Sequence, residues 1–133
     1  MSAVYPTFKG TLLGWLFGGG WPSDAELKIA GVSGSYVYNA THSVVGDFSA
    51  AQLFGNVLLT GTIGTDGTID ADDVEVTGVT PGPTLDALIV YAEWTGGTAL
   101  VCYIDSSSDA SLPIELTNTE FGIRFNSLGI CRI

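Results

Sequence analysis

The most informative pattern of apolar and polar positions lies in the last third of the chain. Two apolar runs rich in β-branched and aromatic residues, 87–94 and 98–104, flank the short break Thr95-Gly96-Gly97. Such residues suit a pleated, half-buried surface, and glycine supplies the positive φ of a tight turn. The pattern predicts a β-hairpin here, and the ending 121–133 predicts one or two final strands.

Shorter runs upstream predict further strands, over 25–32, 56–63 and 68–77, and the downstream run 112–116 predicts a short edge segment. The run 25–32 alternates apolar and polar positions, which predicts a strand with one wet face. Turn signals separate the runs at intervals of roughly eight to twelve residues, which is typical of all-β folds. The sequence therefore predicts a mainly β protein, a β-sandwich or partly open barrel, with one short N-terminal helix.

The first 22 residues follow a helical pattern instead of a strand pattern. Pro6 suits the first turn of a helix, and the glycines 18–20 suit its end. The spacing places a set of apolar side chains on one side of that helix, namely Phe8, Leu12, Leu13, Leu16 and Phe17.

This helix has two interpretations. Amphipathic helices usually cover the core of their own chain, which favours packing across the sheet. Trp15 and Trp21 are aromatics of the kind enriched at interfaces, which favours an arm that docks on another subunit. We predict an N-terminal helix or arm over 1–24 that can dock on neighbours, and a β-rich domain over 25–133. The candidate interface residues are Phe8, Leu12, Trp15, Leu16 and Trp21.

Composition and net charge narrow the classes of molecule that the chain can bind. The chain has 133 residues, the length of one ordinary domain, and only 14% of them are charged, against a usual share of roughly 25%. The surface must therefore be covered largely by Thr, Ser, Asn, Gly and backbone, and such a surface suits packing against neighbours. Fourteen acidic residues oppose four basic ones, giving a net charge of -10. This balance predicts no direct nucleic-acid partner and no membrane, since phosphates and anionic lipids would both repel the chain.

Motifs for chemistry are sparse. His42 is the only histidine, and no acidic residue stands at a spacing that would orient it. No nucleophile elbow, phosphate loop or His-rich metal motif is present. We predict a protein that is not an enzyme, with no catalytic, cofactor-binding or metal-ligating residues and no cofactor. The enzyme hypothesis would require His42 beside a carboxylate and a nucleophile within a pocket.

Other polar and aromatic groups leave alternatives open. Four aspartates, at 66, 70, 72 and 73, could hold a cation, but their spacing does not match an EF-hand. The favoured interpretation is a solvated turn with an edge strand whose charges block stray pairing. Cys102 and Cys131 lie in separate predicted strands; buried thiols are the default, and a disulfide is open if the strands are neighbours. Six aromatics could form a carbohydrate surface, but alternation favours core or subunit contacts for Tyr36, Tyr38, Phe48, Tyr91, Trp94 and Tyr103.

Several segments occur in an order that resembles one group of proteins. They are Leu27-Lys-Ile-Ala30, Asn39-Ala-Thr-His-Ser43, Asp47-Phe-Ser-Ala50, Ile69-Asp-Ala-Asp-Asp-Val-Glu-Val76, Leu88-Ile-Val-Tyr91, Thr95-Gly96-Gly97, Leu100-Val-Cys-Tyr-Ile-Asp105 and Phe121-Gly-Ile-Arg-Phe-Asn-Ser-Leu-Gly-Ile-Cys-Arg-Ile133. In this order they resemble a family of small tailed-bacteriophage virion proteins, commonly encoded among head and tail structural genes. The resemblance covers about three quarters of the chain. The Gly- and Trp-bearing stretch 10–22 departs from the family pattern.

The resemblance implies a non-enzymatic virion structural protein. It implies a capsid decoration, or cement, protein that stabilises the head by bridging capsomers, with the major capsid protein as partner. It further implies a homo-oligomer, for which we expect a trimer, located on the head exterior after synthesis in the cytoplasm of the host bacterium. The alternative is a tail or surface-projection protein that adheres to host glycans through exposed Tyr and Trp side chains.

Overall fold

The computed structural model of the protein describes residues 2–19, 22–33, 36–48, 53–63, 68–77, 79, 82, 84–105, 114–117, 120–125 and 131–132. The elements, in chain order, are β1 Ser2–Val4, α1 Pro6–Phe17, β2 Glu26–Val32, a 3-10 turn Val45–Asp47, β3 Leu53–Leu58, β4 Gly61–Ile63, β5 Thr68–Ala71, β6 Val74–Val76, β7 Thr84–Leu85, β8 Ala87–Trp94, β9 Gly97–Ile104, β10 Ile114–Glu115, β11 Phe121–Ile123 and β12 Cys131–Arg132.

A five-stranded antiparallel sheet forms the centre of the fold. Its strands follow the order β1-β9-β8-β2-β3. The other described strands form three smaller antiparallel sheets, β12-β5-β4, β11-β6 and β10-β7. The protein is mainly β with a single N-terminal α-helix among the described residues, so the predicted fold class is confirmed.

The predicted hairpin is present as the β8–β9 pair. The two strands meet at a two-residue turn, with Trp94 opposite Gly97 in register. Gly97 has a φ of +157°, a backbone conformation that residues with side chains rarely adopt. The runs 87–94 and 98–104 thus predict both strands and the position of the glycine between them.

The central sheet is buried on both faces, and each face has its own core. The helix-side core joins the sheet to α1 and to the smaller sheets; its fully or nearly fully buried members include Phe8, Ile29, Val76, Val90 and Val101. The loop-side core lies on the opposite face, beneath the loop 36–48; its buried members include Tyr5, Val32, Ile89, Leu100 and Tyr103.

Burial of the central sheet on both faces explains why one expectation for β2 is wrong. The alternation over 25–32 predicts a strand with one wet face, and the strand itself is confirmed. However, β2 lies inside the central sheet, between β8 and β3, and its last four residues are buried in succession. Both faces of that half are covered, so the wet face is confined to the first residues of the strand.

The N-terminal segment contributes a strand that the sequence pattern does not predict. β1 pairs with β9, and Tyr5 continues the contact by donating its backbone N–H to the carbonyl of Val101 at 2.9 Å. The side chain of Tyr5 is fully buried. Residues of the segment 1–24 therefore share both cores with residues of the β-rich part 25–133.

A glycine bulge allows β3 to approach β6 closely. The register between β2 and β3 shifts between Ile29 and Gly31. Gly55, on β3 at this shift, has a φ of +65°, and a Cβ there would lie 2.4 Å from Cγ1 of Val76. Glycine is required at this position by both its backbone conformation and the close contact.

Candidate functional site

The helix α1 has the start and end that the sequence predicts. Pro6 occupies its first turn, and the backbone N–H of Gly18 donates to the carbonyl of Gly14 at 2.9 Å where the helix ends. The side of the helix that meets the sheet carries Phe8, Leu12 and Trp15, at spacings of four and three residues. Residues at these spacings share one helix face, which explains the packing.

The predicted interface residues lie mainly against the chain's own core. Phe8 is 2% exposed, and Leu12 and Trp15 are half-buried beside it. The ring of Trp15 makes edge-to-face contacts with Phe8 and with Trp94, at centroid distances of 6.1 Å and 5.2 Å. Phe8 therefore offers no surface to a neighbour. The side chain of Leu16, and Trp21 as a whole, lie outside the described residues.

The opposite side of the helix is exposed, and we name it the outer face of α1. Its members are all exposed to solvent and comprise Pro6, Lys9, Gly10, Leu13, Gly14 and Phe17. Leu13 is 60% exposed and Phe17 is 90% exposed.

The expectation that Leu13 and Phe17 share a side with Phe8 is wrong. At 100° per residue they lie about 140° and about 180° around the helix from Phe8. The signal available in the sequence was this angular offset, together with the glycines at 10 and 14 on the same exposed side. The structure therefore separates an inner, core-facing stripe from an outer apolar face.

A second candidate site is an open groove of about 600 Å³ beside the turn of the β8–β9 hairpin. Its walls comprise Asp24, Glu26, Lys28, Glu93, Trp94 and the turn residues 95–98. Three carboxylates, one ammonium and one indole thus converge on the groove. Carboxylates accept hydrogen bonds from hydroxyl groups and an indole offers apolar surface, so this combination can bind a polar ligand with an apolar face.

Hydrogen bonds hold the charges of the groove in place. Lys28 Nζ donates to Glu93 Oε1 at 2.7 Å across β2 and β8. The carboxylate of Asp24 accepts the backbone N–H of Thr95 at 2.8 Å and also its hydroxyl. Hydrogen bonds from Thr95 lower the pKa of Asp24, and the hydrogen bond to Glu93 raises the pKa of Lys28. Both groups therefore stay charged at neutral pH.

The groove was not predicted because its residues come from distant parts of the sequence. Glu26 and Glu93 lie directly opposite each other only because β2 pairs with β8 in this register. Of the six aromatics considered for a carbohydrate surface, only Trp94 lines the groove. The other five belong to the loop-side core or pack against it, as alternation favoured: Tyr36, Tyr38, Phe48, Tyr91 and Tyr103.

His42 lies in a chain of aromatic hydroxyl groups beside the loop-side core. The hydroxyl of Tyr36 lies 3.1 Å from Nδ1 of His42 and 2.8 Å from the hydroxyl of Tyr5. Phe48 stacks on Tyr36 with ring centroids 4.1 Å apart. Burial raises the pKa of Tyr5, and the hydrogen bond to Tyr36 raises it further. His42 does not line the groove.

The acidic run 68–77 is divided between two sheets. It forms β5 and β6, with Asp72 and Asp73 between them, and β5 lies in the middle of its sheet. The expected edge strand guarded by charge is therefore wrong for β5. Asp73 Oδ1 accepts the backbone N–H of Phe125 at 2.8 Å, whereas Asp66 lies outside the described residues. Among the described residues, no group of three or more His, Cys, Asp or Glu side chains could hold a metal ion.

The two cysteines lie on strands of different sheets. Cys102 is fully buried in β9, and Cys131 belongs to β12, which pairs with β5. The side chain of Cys131 lies outside the described residues, so the disulfide hypothesis stays a prediction.

Two further findings concern membrane-spanning helices and similarity to known proteins. Over the part of the chain that the structure describes, no helix combines the length and the apolarity needed to cross a membrane. Comparisons with protein-family models, with curated proteins and with solved structures find no match for this chain.

Proposed function

We propose that the chain is a non-enzymatic structural protein of a tailed-bacteriophage virion. In this proposal it decorates the exterior of the head, binds the major capsid protein as a homo-oligomer, and stabilises the shell by bridging capsomers. The segment order of the sequence, which resembles that of small virion proteins, supports this class.

The observation that carries the proposal is the outer face of α1. Leu13 and Phe17 are exposed there, although the same helix has Phe8 available to anchor it to the core. Large exposed apolar side chains grouped on one face are typical of interaction surfaces. The helix is anchored firmly and presents an apolar face outward, as a subunit of a homo-oligomer requires.

The charge distribution supports an exterior location. The net charge is -10, and all fourteen acidic residues follow position 23 in the sequence. The acidic part of the chain that follows position 23 repels packaged nucleic acid. The helix precedes it and carries no carboxylate, so the helix is the region that can approach another protein without like-charge repulsion. A weak contact made by one helix can still stabilise a shell, because symmetry repeats the contact and avidity multiplies its effect.

The groove at the β8–β9 hairpin supports a second candidate, a tail or surface-projection protein that adheres to host glycans. Trp94 offers apolar surface for a sugar ring, and the carboxylates of Asp24, Glu26 and Glu93 offer acceptors for its hydroxyl groups. This candidate uses a different surface and predicts a different place on the particle.

Copy number in purified particles of the encoding virus tests the proposal. Quantitative mass spectrometry should find on the order of hundreds of copies per particle, because a decoration protein repeats with the symmetry of the head. A few copies would favour the tail candidate, and absence from particles would overturn both.

A variant assay then tests whether incorporation into particles requires the outer face of α1. Removing residues 1–22 would also remove Tyr5 and Phe8 from the cores, so point substitutions are the sharper probe. Phe17→Ser should reduce incorporation into particles. Val37→Ser should not, although Val37 is also an exposed apolar residue, 78% exposed, on the loop 36–48. Equal incorporation of both variants would remove the outer face of α1 from the proposal.

A further inference from the structure

The outer face of α1 combines two large apolar side chains with two glycines. Leu13 and Phe17 project into solvent, and Gly10 and Gly14 lie beside them with nothing within 4 Å of the position of an added Cβ. Glycines on a helix surface leave shallow depressions into which a side chain of a packed helix can insert. The face therefore carries both projections and depressions.

These features are self-complementary about a two-fold axis. Suppose that two copies of α1 pack antiparallel, with the axis between positions 13 and 14. Phe17 of each copy then lies against Gly10 of its partner, and Leu13 lies against Gly14. Each contact occurs twice, because a two-fold interface pairs every residue i with j and j with i.

Charge also selects this pairing. Lys9 is the only charged residue of α1, so no carboxylate lies on the helix to repel a second copy. In the antiparallel register, Lys9 lies near position 18 of the partner helix, at its C-terminal end. Backbone carbonyls carry partial negative charge at that end, so the lysine is favourably placed. Elsewhere the two acidic bodies repel each other.

We propose that the outer face of α1 binds a second copy of this chain, as an antiparallel helix pair about a two-fold axis between Leu13 and Gly14. This pair specifies the self-association on which the proposed virion function rests, and it replaces the trimer expected from the resemblance with a dimeric contact. It can be tested on the purified chain without a capsid, so its failure leaves the virion role to be judged by copy number.

The expected affinity is modest. A 12-residue helix is about 18 Å long, so the contact is smaller than a standard protein interface of about 1,600 Å². Repulsion between two chains of net charge -10 weakens it further. Salt screens that repulsion while leaving the apolar contacts intact. The dimer should therefore strengthen as ionic strength rises, unlike a complex held by ion pairs.

Analytical ultracentrifugation of the full chain tests the pairing over about 10 µM to about 1 mM, at low and high salt. The average mass should rise from 13.8 kDa towards twice that value, and more readily at high salt. Phe17→Ser should weaken association by about tenfold or more, because two copies of the side chain leave the interface. Val37→Ser, which removes another exposed apolar side chain, one that is 78% exposed and lies outside α1, should associate as the wild type does.

A further variant distinguishes pairing from nonspecific adhesion. Gly14→Leu adds apolar surface to an open position, so nonspecific adhesion would increase. In the proposed register, however, the added leucine side chain fills the depression that receives Leu13 of the partner, so dimerisation should decrease. A constant mass of 13.8 kDa across the range, a limiting mass of three chains, or tighter association of Gly14→Leu would each overturn the proposal.

Discussion

The two faces of the central sheet are both buried, but they are held together by different physics. Apart from Cys102, the buried members of the helix-side core are hydrocarbon side chains contributed by strands, α1 and neighbouring segments. The loop-side core is covered by the irregular loop 36–48, and three of its buried members are tyrosines. One face depends on shape complementarity, and the other also depends on satisfied hydroxyl groups.

The difference sets what each face tolerates. Close-packed hydrocarbon cores respond to a change in volume, because their neighbours relax only partly. Buried hydroxyl groups respond to the loss of a partner, because an unsatisfied donor retains its desolvation cost. We therefore expect substitutions that change volume to dominate on the helix side and those that remove hydrogen bonds to dominate on the loop side.

The largest expected effect is at the glycine bulge on the helix side. Gly55→Ala forces a residue with a side chain into a φ of +65° and places its Cβ 2.4 Å from Cγ1 of Val76. We expect a loss of about 2–4 kcal/mol in the free energy of unfolding, from backbone strain and overpacking together. Denaturant unfolding measures it.

The matched control for this variant is Gly46→Ala on the loop side. An added Cβ there comes no closer than 3.9 Å to its nearest neighbour, a methyl group of Val44, and the φ of Gly46 is negative. Its stability should stay within about 0.5 kcal/mol of the wild type. Equal stability of the two variants would contradict the requirement for glycine at position 55.

An intermediate effect is expected in the hydroxyl chain on the loop side. Tyr36→Phe removes the partner of the Tyr5 hydroxyl, which belongs to a fully buried side chain. An unsatisfied buried hydroxyl group costs about 1–3 kcal/mol, and this loss should appear in denaturant unfolding at neutral pH.

A double-mutant cycle tests whether the hydrogen bond is responsible. Removing both hydroxyl groups, in Tyr5→Phe combined with Tyr36→Phe, should recover most of the lost stability, because no buried donor then lacks an acceptor. Additive losses from the two substitutions would show instead that the two hydroxyl groups contribute to stability independently of each other.

The smallest effect concerns an exposed carboxylate that holds the covering loop. Asp47 Oδ2 accepts the backbone N–H groups of Ser43 at 2.8 Å and Val44 at 3.1 Å, and these hydrogen bonds lower its pKa. A lowered pKa in the folded state stabilises the fold above the unfolded-state value of about 3.9. That contribution is lost as pH falls through the folded-state pKa.

Asp47→Asn should therefore cost less than about 1 kcal/mol at neutral pH, since the site is exposed and screened. The difference from the wild type should shrink towards pH 2. Asp72→Asn, which removes another exposed carboxylate that lies outside the loop, should not be destabilising. Measurement of unfolding free energy against pH checks both, and a wild-type advantage that grew on acidification would reverse the expected sign.

Strand and hairpin positions could be predicted wherever neighbouring residues determine them. The apolar runs around Thr95-Gly96-Gly97 predict β8 and β9 because β propensity and turn chemistry act over a few residues. The start and end of α1 follow from Pro6 and Gly18 in the same way. β1 was missed because a three-residue strand has too short a pattern and depends on β9 for its hydrogen bonds.

The candidate sites could be predicted only in part. The apolar content of α1 indicates an interaction segment, but Phe8 is buried while Leu13 and Phe17 are exposed because the sheet contacts only one side of the helix. The groove was not predictable from the sequence. Glu26 and Glu93 are 67 positions apart, and they meet only because β2 pairs with β8 in this register.

The sequence by itself determined the mainly β composition of the fold, the central hairpin, the bounds of the helix and the acidic character of the surface, since these depend on residue type and local spacing. Only the tertiary structure decided which helix face is buried, that both faces of the central sheet are covered, and which charges converge on the groove. The physical reason is that burial and cross-strand pairing depend on contacts between distant segments, and these contacts exist only once the chain has folded.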